Sequence, residues 1–174
     1  MQTHRHVVPP LAAKGHLNLT EREMIDWGRE LGEAVVPPLV ISLSGDLGAG
    51  KTGYAILLAE TDPELVQMEG DCGWMVTAGA NPVEFFQRYP KRYRVIHIKD
   101  FPAGTKVTTT MGGTDAPHPT ELGRGHIDYK PILAAAKRAG VEHFFVEQDP
   151  PMVGMTALEA CEIDYSYLRS VLGS

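Results

Sequence analysis

The chain has 174 residues, 43% of them hydrophobic and 22% charged, which suits one compact soluble domain or a small domain with an appendage. A net charge of −6 argues against nucleic-acid binding through a general basic surface, and no apolar run has the length of a membrane span or the form of a secretion signal. Cys72 and Cys161 stand far apart and make neither a C-x-x-C pair nor a disulfide framework, so a cytoplasmic setting with reduced thiols is expected.

Residues 1–19 hold His4, Arg5, His6, Pro9 and Pro10 without a period and read as a loose leader. Thr20 and Glu23 fit a capping box, and Met24, Trp27 and Leu31 follow at helical spacing. A helix is therefore expected over 20–35, ended by Pro37 and Pro38. Residues 39–43 form a short apolar run of the buried-strand type. Gly45–Thr52 completes the pattern G-x-x-x-x-G-K-T, after which Lys51 opens a helix reaching about Thr61. Strand candidates at 65–71, 94–99 and 143–148 then alternate with helices. The first helix opens at Asn81-Pro82, the second runs from about Lys130 to Ala139 before Gly140, and the last covers 155–171. A loop rich in Thr, Gly and Pro fills 101–127. Alternating strands and helices predict an α/β fold with a parallel sheet of about four strands.

The loop from Gly45 to Thr52 has a specific chemistry. Backbone N–H groups at Gly45, Gly48 and Gly50 converge on an anion at a helix N-terminus, Lys51 reaches the terminal phosphates, and the Thr52 hydroxyl holds Mg²⁺. With the segment Leu19–Ala34 before it, this stretch resembles the start of the TsaE family, bacterial ATPases that serve threonylcarbamoyl-adenosine modification of tRNA. The resemblance covers about 17–52 and implies Mg-ATP bound at Lys51 and Thr52. The later acidic positions of that family have no counterpart here. Asp71 or Asp100, each ending a strand, would be the substitute Walker-B-like carboxylate.

From Thr52 or Gly53 onward the chain resembles a different family. The segments Thr61–Val66, Asp71–Trp74, Ala78–Pro82, Val95–Asp100, Glu121–Asp128 and Phe145–Asp149 occur in the order of the sugar phosphate isomerase/epimerase family, which has a xylose isomerase-like TIM barrel. The resemblance implies a divalent metal (Mn, Mg or Co) held by Asp71, His97 and Glu147 at the C-terminal ends of successive strands. It also implies Trp74 and Lys99 near a small sugar or sugar phosphate substrate. The family's fourth ligand, a glutamate on the preceding strand, has no match, since Asp46 is the only carboxylate there. Each residue also has a plainer reading. His97 suits a core histidine, Asp71 a helix or turn cap, Glu147 a solvated strand end, Trp74 packing, and Lys99 an ion pair with Asp100.

These readings divide the chain into a leader (1–19), a TsaE-like helix, strand and phosphate loop (20–52), and a partial barrel (53–174). A TIM barrel closes with eight strands, so four would leave edges and apolar faces that self-association would cover. The expected function is that of a metal-dependent sugar phosphate isomerase/epimerase, weak or inactive on its own. A TsaE-type ATP-binding module and a non-functional chimera are the alternatives.

Overall fold

The computed structural model describes Thr20, Arg22, Glu23, Asp26 and Trp27, and residues 58–108, 115–150 and 152–173. The chain divides into two compact units, one of 1–44 with 49–66 and one of 45–48 with 67–174. The strand expected at 39–43 and the phosphate loop Gly45–Thr52, with Asp46, lie outside the described residues.

In the first unit, Thr20 and Glu23 form the expected capping box. The Glu23 amide donates to Thr20 Oγ1 at 3.4 Å, and the Thr20 amide donates to Glu23 Oε2 at 2.8 Å. Residues 58–60 are helical. Beyond them Asp62 organises a turn. Its carbonyl accepts from the Leu65 and Val66 amides at 3.1 and 2.9 Å, and its Oδ1 accepts from the Glu64 amide at 2.8 Å. That turn corrects the strand expected over 65–71, which starts only at Met68, because the amides of 64–66 are already committed to Asp62.

The second unit contains β1 (Met68–Asp71), α1 (Cys72–Thr77), α2 (Pro82–Arg88), β2 (Tyr93–Ile98), α3 (Tyr129–Ala139), β3 (His143–Val146) and α4 (Ala157–Leu172). The three strands form one parallel sheet in the order β1-β2-β3. The α/β class and the parallel sheet expected from the alternation are present. The helix ends follow local chemistry. Asn81 Oδ1 accepts from the Val83 amide ahead of Pro82 at the first helical position. Gly140 closes α3 at φ 91°, a conformation glycine adopts without a Cβ penalty. Thr156 and Glu159 form a second capping box at the start of α4. The helix α1 has no counterpart in the expectations from sequence. Asp71 caps it by accepting from the Trp74 amide at 2.9 Å.

One face of β2 presents Ile96 and Ile98, both fully buried, and Tyr93 meets Phe86 of α2 edge-on at 5.2 Å between centroids. Helix α2 packs against α3, which buries Ile132, Leu133, Ala135 and Ala136. Each fully buried isoleucine or leucine side chain contributes about 1.5–3 kcal/mol.

The long segment after β2 is held by two buried carboxylates. Asp100 Oδ1 accepts from the Phe101 and Ile127 amides at 2.8 and 3.1 Å, and Oδ2 accepts from the Gly123 and Gly125 amides at 3.1 Å each. Asp164 on α4 accepts from the Leu122 amide at 2.7 Å and from Gln148 Nε2 at 2.9 Å. Gly125 is required here, because a Cβ would overlap Asp100 Oδ1 and the Phe101 carbonyl oxygen. Asp100 is therefore a loop clamp. This corrects its reading as a Walker-B-like carboxylate, since its acceptor positions are spent on backbone.

Candidate functional site

The site is built by strand register. Asp71 pairs with His97 across β1 and β2, and His97 pairs with Phe145 across β2 and β3. The ladder continues past β3, where the Glu147 amide donates to the Ile98 carbonyl at 3.1 Å. Side chains alternate along a strand, so Glu69, Asp71, His97, Lys99, Phe145 and Glu147 share one face, opposite to Ile96 and Ile98. Asp71, Lys99 and Glu147 stand at the C-terminal ends of their strands.

Asp71, His97 and Glu147 each offer one ligand atom, and these atoms lie within 4.8 Å of one another. His97 Nδ1 is 2.6 Å from Glu147 Oε2, and its Nε2 is 2.7 Å from Glu69 Oε1. The Phe145 ring stands edge-on to the imidazole at 5.9 Å between centroids. Lys99 Nζ enters the same cluster, 3.0 Å from Glu147 Oε2, 3.2 Å from Asp149 Oδ2 and 3.3 Å from Asp71 Oδ2.

The Lys99 side chain is only 3% exposed, and its placement is tightly determined. The Tyr129 hydroxyl donates to the Lys99 carbonyl at 2.6 Å and accepts from the Lys99 amide at 3.1 Å. Gly73 at the start of α1 leaves room for it, since a Cβ there would stand 2.7 Å from the Lys99 carbonyl oxygen. On the apolar side, Nζ lies 5.7 Å from the centroid of the Trp74 ring, which itself packs on Phe101 at 5.0 Å.

The electrostatics separate the groups. Burial pushes the Asp71 carboxyl above the usual carboxylate range, against the downward pull of the Trp74 amide and Lys99. Burial also pulls Glu147 upward, but hydrogen bonds from His97 and Lys99 outweigh it and hold this carboxyl below its ordinary value. Burial lowers Lys99, and the carboxylates of Asp71, Glu147 and Asp149 more than reverse that, so the amine is held above its ordinary value as an ammonium.

One imidazole and two carboxylates suit Mn²⁺, Mg²⁺ or Co²⁺, and the ligand atoms are close enough together to reach one ion. The register brings together the three residues singled out as ligands, and Lys99 with them. Trp74 is 8% exposed and packs beneath Lys99. Lys99 pairs with Asp71, Glu147 and Asp149, which corrects the pairing with Asp100, whose side chain is turned to the loop. The nucleotide-binding candidates Gly45, Gly48, Gly50, Lys51 and Thr52 lie outside the described residues.

Three contributors were not singled out by the residue pattern: Glu69, Asp149 and Tyr129. Period-two spacing carries a signal for two of them, since Glu69 is two residues before Asp71 and Asp149 two after Glu147. Tyr129 carries none, because its contact with Lys99 spans the whole loop. Beside Asp149 opens a cavity of about 260 Å³, whose lining includes Thr120, Glu121, Arg124 and Gln148.

No protein-family model matches the chain. In sequence it is 32% identical over 103 residues to an inosose dehydratase of Lacticaseibacillus casei, a match covering 54% of this chain and 35% of that protein. It is 30% identical over 156 residues to an inosose dehydratase of Clostridium botulinum (strain Eklund 17B / Type B), covering 82% of this chain and 52% of that protein. The chain thus spans between a third and about half of the length of these curated relatives. A match over 82% of 174 residues necessarily takes in the central stretch 45–52, so the phosphate-loop pattern falls inside it. Among solved structures, a sugar phosphate isomerase/epimerase from Parabacteroides distasonis superposes with a TM-score of 0.58 at 21% identity, over 86% of this chain and 54% of that one. A xylose isomerase domain protein from Alicyclobacillus acidocaldarius does so with a TM-score of 0.55 at 17% identity, over 87% and 58%. In sequence the chain is similar to inosose dehydratases, and in fold to part of the xylose isomerase-like TIM barrels.

Proposed function

We propose that this chain carries the metal-binding part of an enzyme that isomerises, epimerises or dehydrates a small polyhydroxylated aldehyde or ketone. The observation that carries this reading is the convergence of Asp71, His97 and Glu147 at the C-terminal end of the sheet. In this reading these three residues hold a divalent ion, and Glu69 orients the His97 ring from its other nitrogen. The ion, when bound, supplies Lewis-acid polarisation of a substrate carbonyl or hydroxyl. Lys99 places a positive charge beside the same point, where it stabilises negative charge developing on a substrate oxygen. Asp149 and the neighbouring cavity offer hydrogen-bond partners to the hydroxyls of a sugar-like molecule. The activity for which the sequence relatives are named, inosose dehydratase, fits that substrate class.

Epimerisation, dehydration and isomerisation through an enediol share one chemical event, removal of a proton from carbon next to a carbonyl, whereas isomerisation by hydride shift keeps that hydrogen on the sugar. The test is therefore deuterium incorporation from D₂O into inosose and into ketose sugars, with Mn²⁺, Mg²⁺ or Co²⁺ added, alongside calorimetric titration of each metal. Metal binding by the wild type and its loss in His97→Ala supports the site. Equal titration curves for both proteins would end the reading.

A second reading rests on the complete G-x-x-x-x-G-K-T sequence at Gly45–Thr52, which would take Mg-ATP. Calorimetry with Mg-ATP on wild type and Lys51→Ala decides it, and absence of heat from either protein removes it.

A further inference from the structure

The acidic end of the sheet already carries a cation of its own. Lys99 Nζ touches Glu147 Oε2, Asp149 Oδ2 and Asp71 Oδ2 at 3.0, 3.2 and 3.3 Å. Two of these carboxylates, Asp71 and Glu147, also belong to the set offered to a divalent ion. An ion bonded to them at ~2 Å would stand within a few ångströms of the ammonium, and two positive charges that close repel strongly away from bulk water. The lysine cannot retreat towards α1, because the Trp74 ring stands over Nζ and the Lys99 backbone is fixed by Tyr129. Its remaining partner is Asp149, which is outside the ligand set and whose side chain is 41% exposed.

We infer that Lys99 and Asp149 together set the metal affinity of this site: the ammonium competes with the divalent ion for Asp71 and Glu147, and Asp149 is the seat it keeps when the ion is bound. This inference rests on the metal reading above and adds to it a residue pair that tunes it. The flexible four-carbon stem of lysine makes such a shift of its head group feasible without backbone movement. Asp149 has two effects in this scheme. It draws the ammonium off the ligand carboxylates, and it keeps the positive charge compensated at both positions.

The experiment is titration of the full chain with Mn²⁺, read by the loss of the free-ion electron paramagnetic resonance signal, with circular dichroism confirming the fold of each variant. Lys99→Met keeps the length of the stem and removes the charge, so Mn²⁺ binds at least about tenfold more tightly than in wild type. Asp149→Asn leaves the ammonium only Asp71 and Glu147, so Mn²⁺ binds more weakly. In the Lys99→Met background the Asp149→Asn change has a clearly smaller effect, because its main action is through the lysine. Asp149→Asn alters an exposed side chain and so gives a reading even where Lys99→Met fails to fold. Wild type binding Mn²⁺ with Lys99→Met no tighter, or Asp149→Asn no weaker, overturns this inference and leaves the metal reading standing. No binding by the wild type and both variants overturns the two together.

Discussion

Glu69 Oε1 lies 2.7 Å from His97 Nε2, on the side of the imidazole opposite to Glu147, whose Oε2 lies 2.6 Å from Nδ1. Both ring nitrogens thus have a carboxylate within hydrogen-bond distance, and Glu69 holds the plane of the ring from outside the set Asp71, His97 and Glu147. With an ion at Nδ1 in place of the Glu147 contact, Glu69 would accept the Nε2 proton.

The first prediction concerns that pair. Glu69→Leu removes the acceptor, and metal affinity falls by roughly 10–100-fold. Glu69→Gln still offers an oxygen and keeps more of the affinity. ¹⁵N spectra of the His97 ring with Mg²⁺ bound separate this from a general loss of structure. The Nε2-protonated form dominates in wild type and in Glu69→Gln, and loses that dominance in Glu69→Leu.

The second prediction concerns the loop clamp. Asp100 is fully buried, and each of its oxygens accepts two backbone amides. Asn in its place turns an NH₂ group towards one pair of N–H donors and leaves them unsatisfied. At about 1–3 kcal/mol for each buried unsatisfied group, Asp100→Asn costs at least ~2 kcal/mol of folding stability. Urea denaturation measures it, and a loss below ~1 kcal/mol would show that the loop finds other acceptors.

The third prediction is a pH effect at the start of α4. The Thr156 amide and hydroxyl both donate to Glu159 Oε2, at 2.7 and 2.9 Å, and hold its carboxyl below the ordinary glutamate value. A folded-state value below the unfolded one means that the cap stabilises above the ordinary glutamate range. That contribution is lost as the pH falls through the lowered value. In a ¹³C titration of the carboxyl, Thr156→Ala moves the Glu159 midpoint upward. An unchanged midpoint would mean that the cap is not formed in solution.

The fourth prediction uses the two cysteines. Cys161 is exposed, whereas Cys72 is buried at the first position of α1, where burial and the adjacent Asp71 carboxylate raise its thiol far above the ordinary range. A thiol reagent therefore titrates one group per folded chain and two after denaturation in guanidinium. Two fast groups in the folded protein would place Cys72 at the surface.

The outline of the second unit was legible in the residues. Pro82 and Gly140 act within a few positions of themselves, so their effect is written where they stand. The alternation of apolar runs with helical periods fixed the α/β class in the same local way. The start of β1 was not legible, because Asp62 takes the amides of 64–66 into a turn that outcompetes a strand. The site depended on tertiary structure most of all. Asp71, His97 and Glu147 meet only because parallel pairing sets Asp71 beside His97 and His97 beside Phe145 across long connections. A slip of one residue in either register would turn one of the three to the opposite face. The same parity separates Lys99 from its neighbour Asp100. Adjacent residues on an extended chain point to opposite sides, so the lysine joins three carboxylates from two other segments while the aspartate gathers the loop amides.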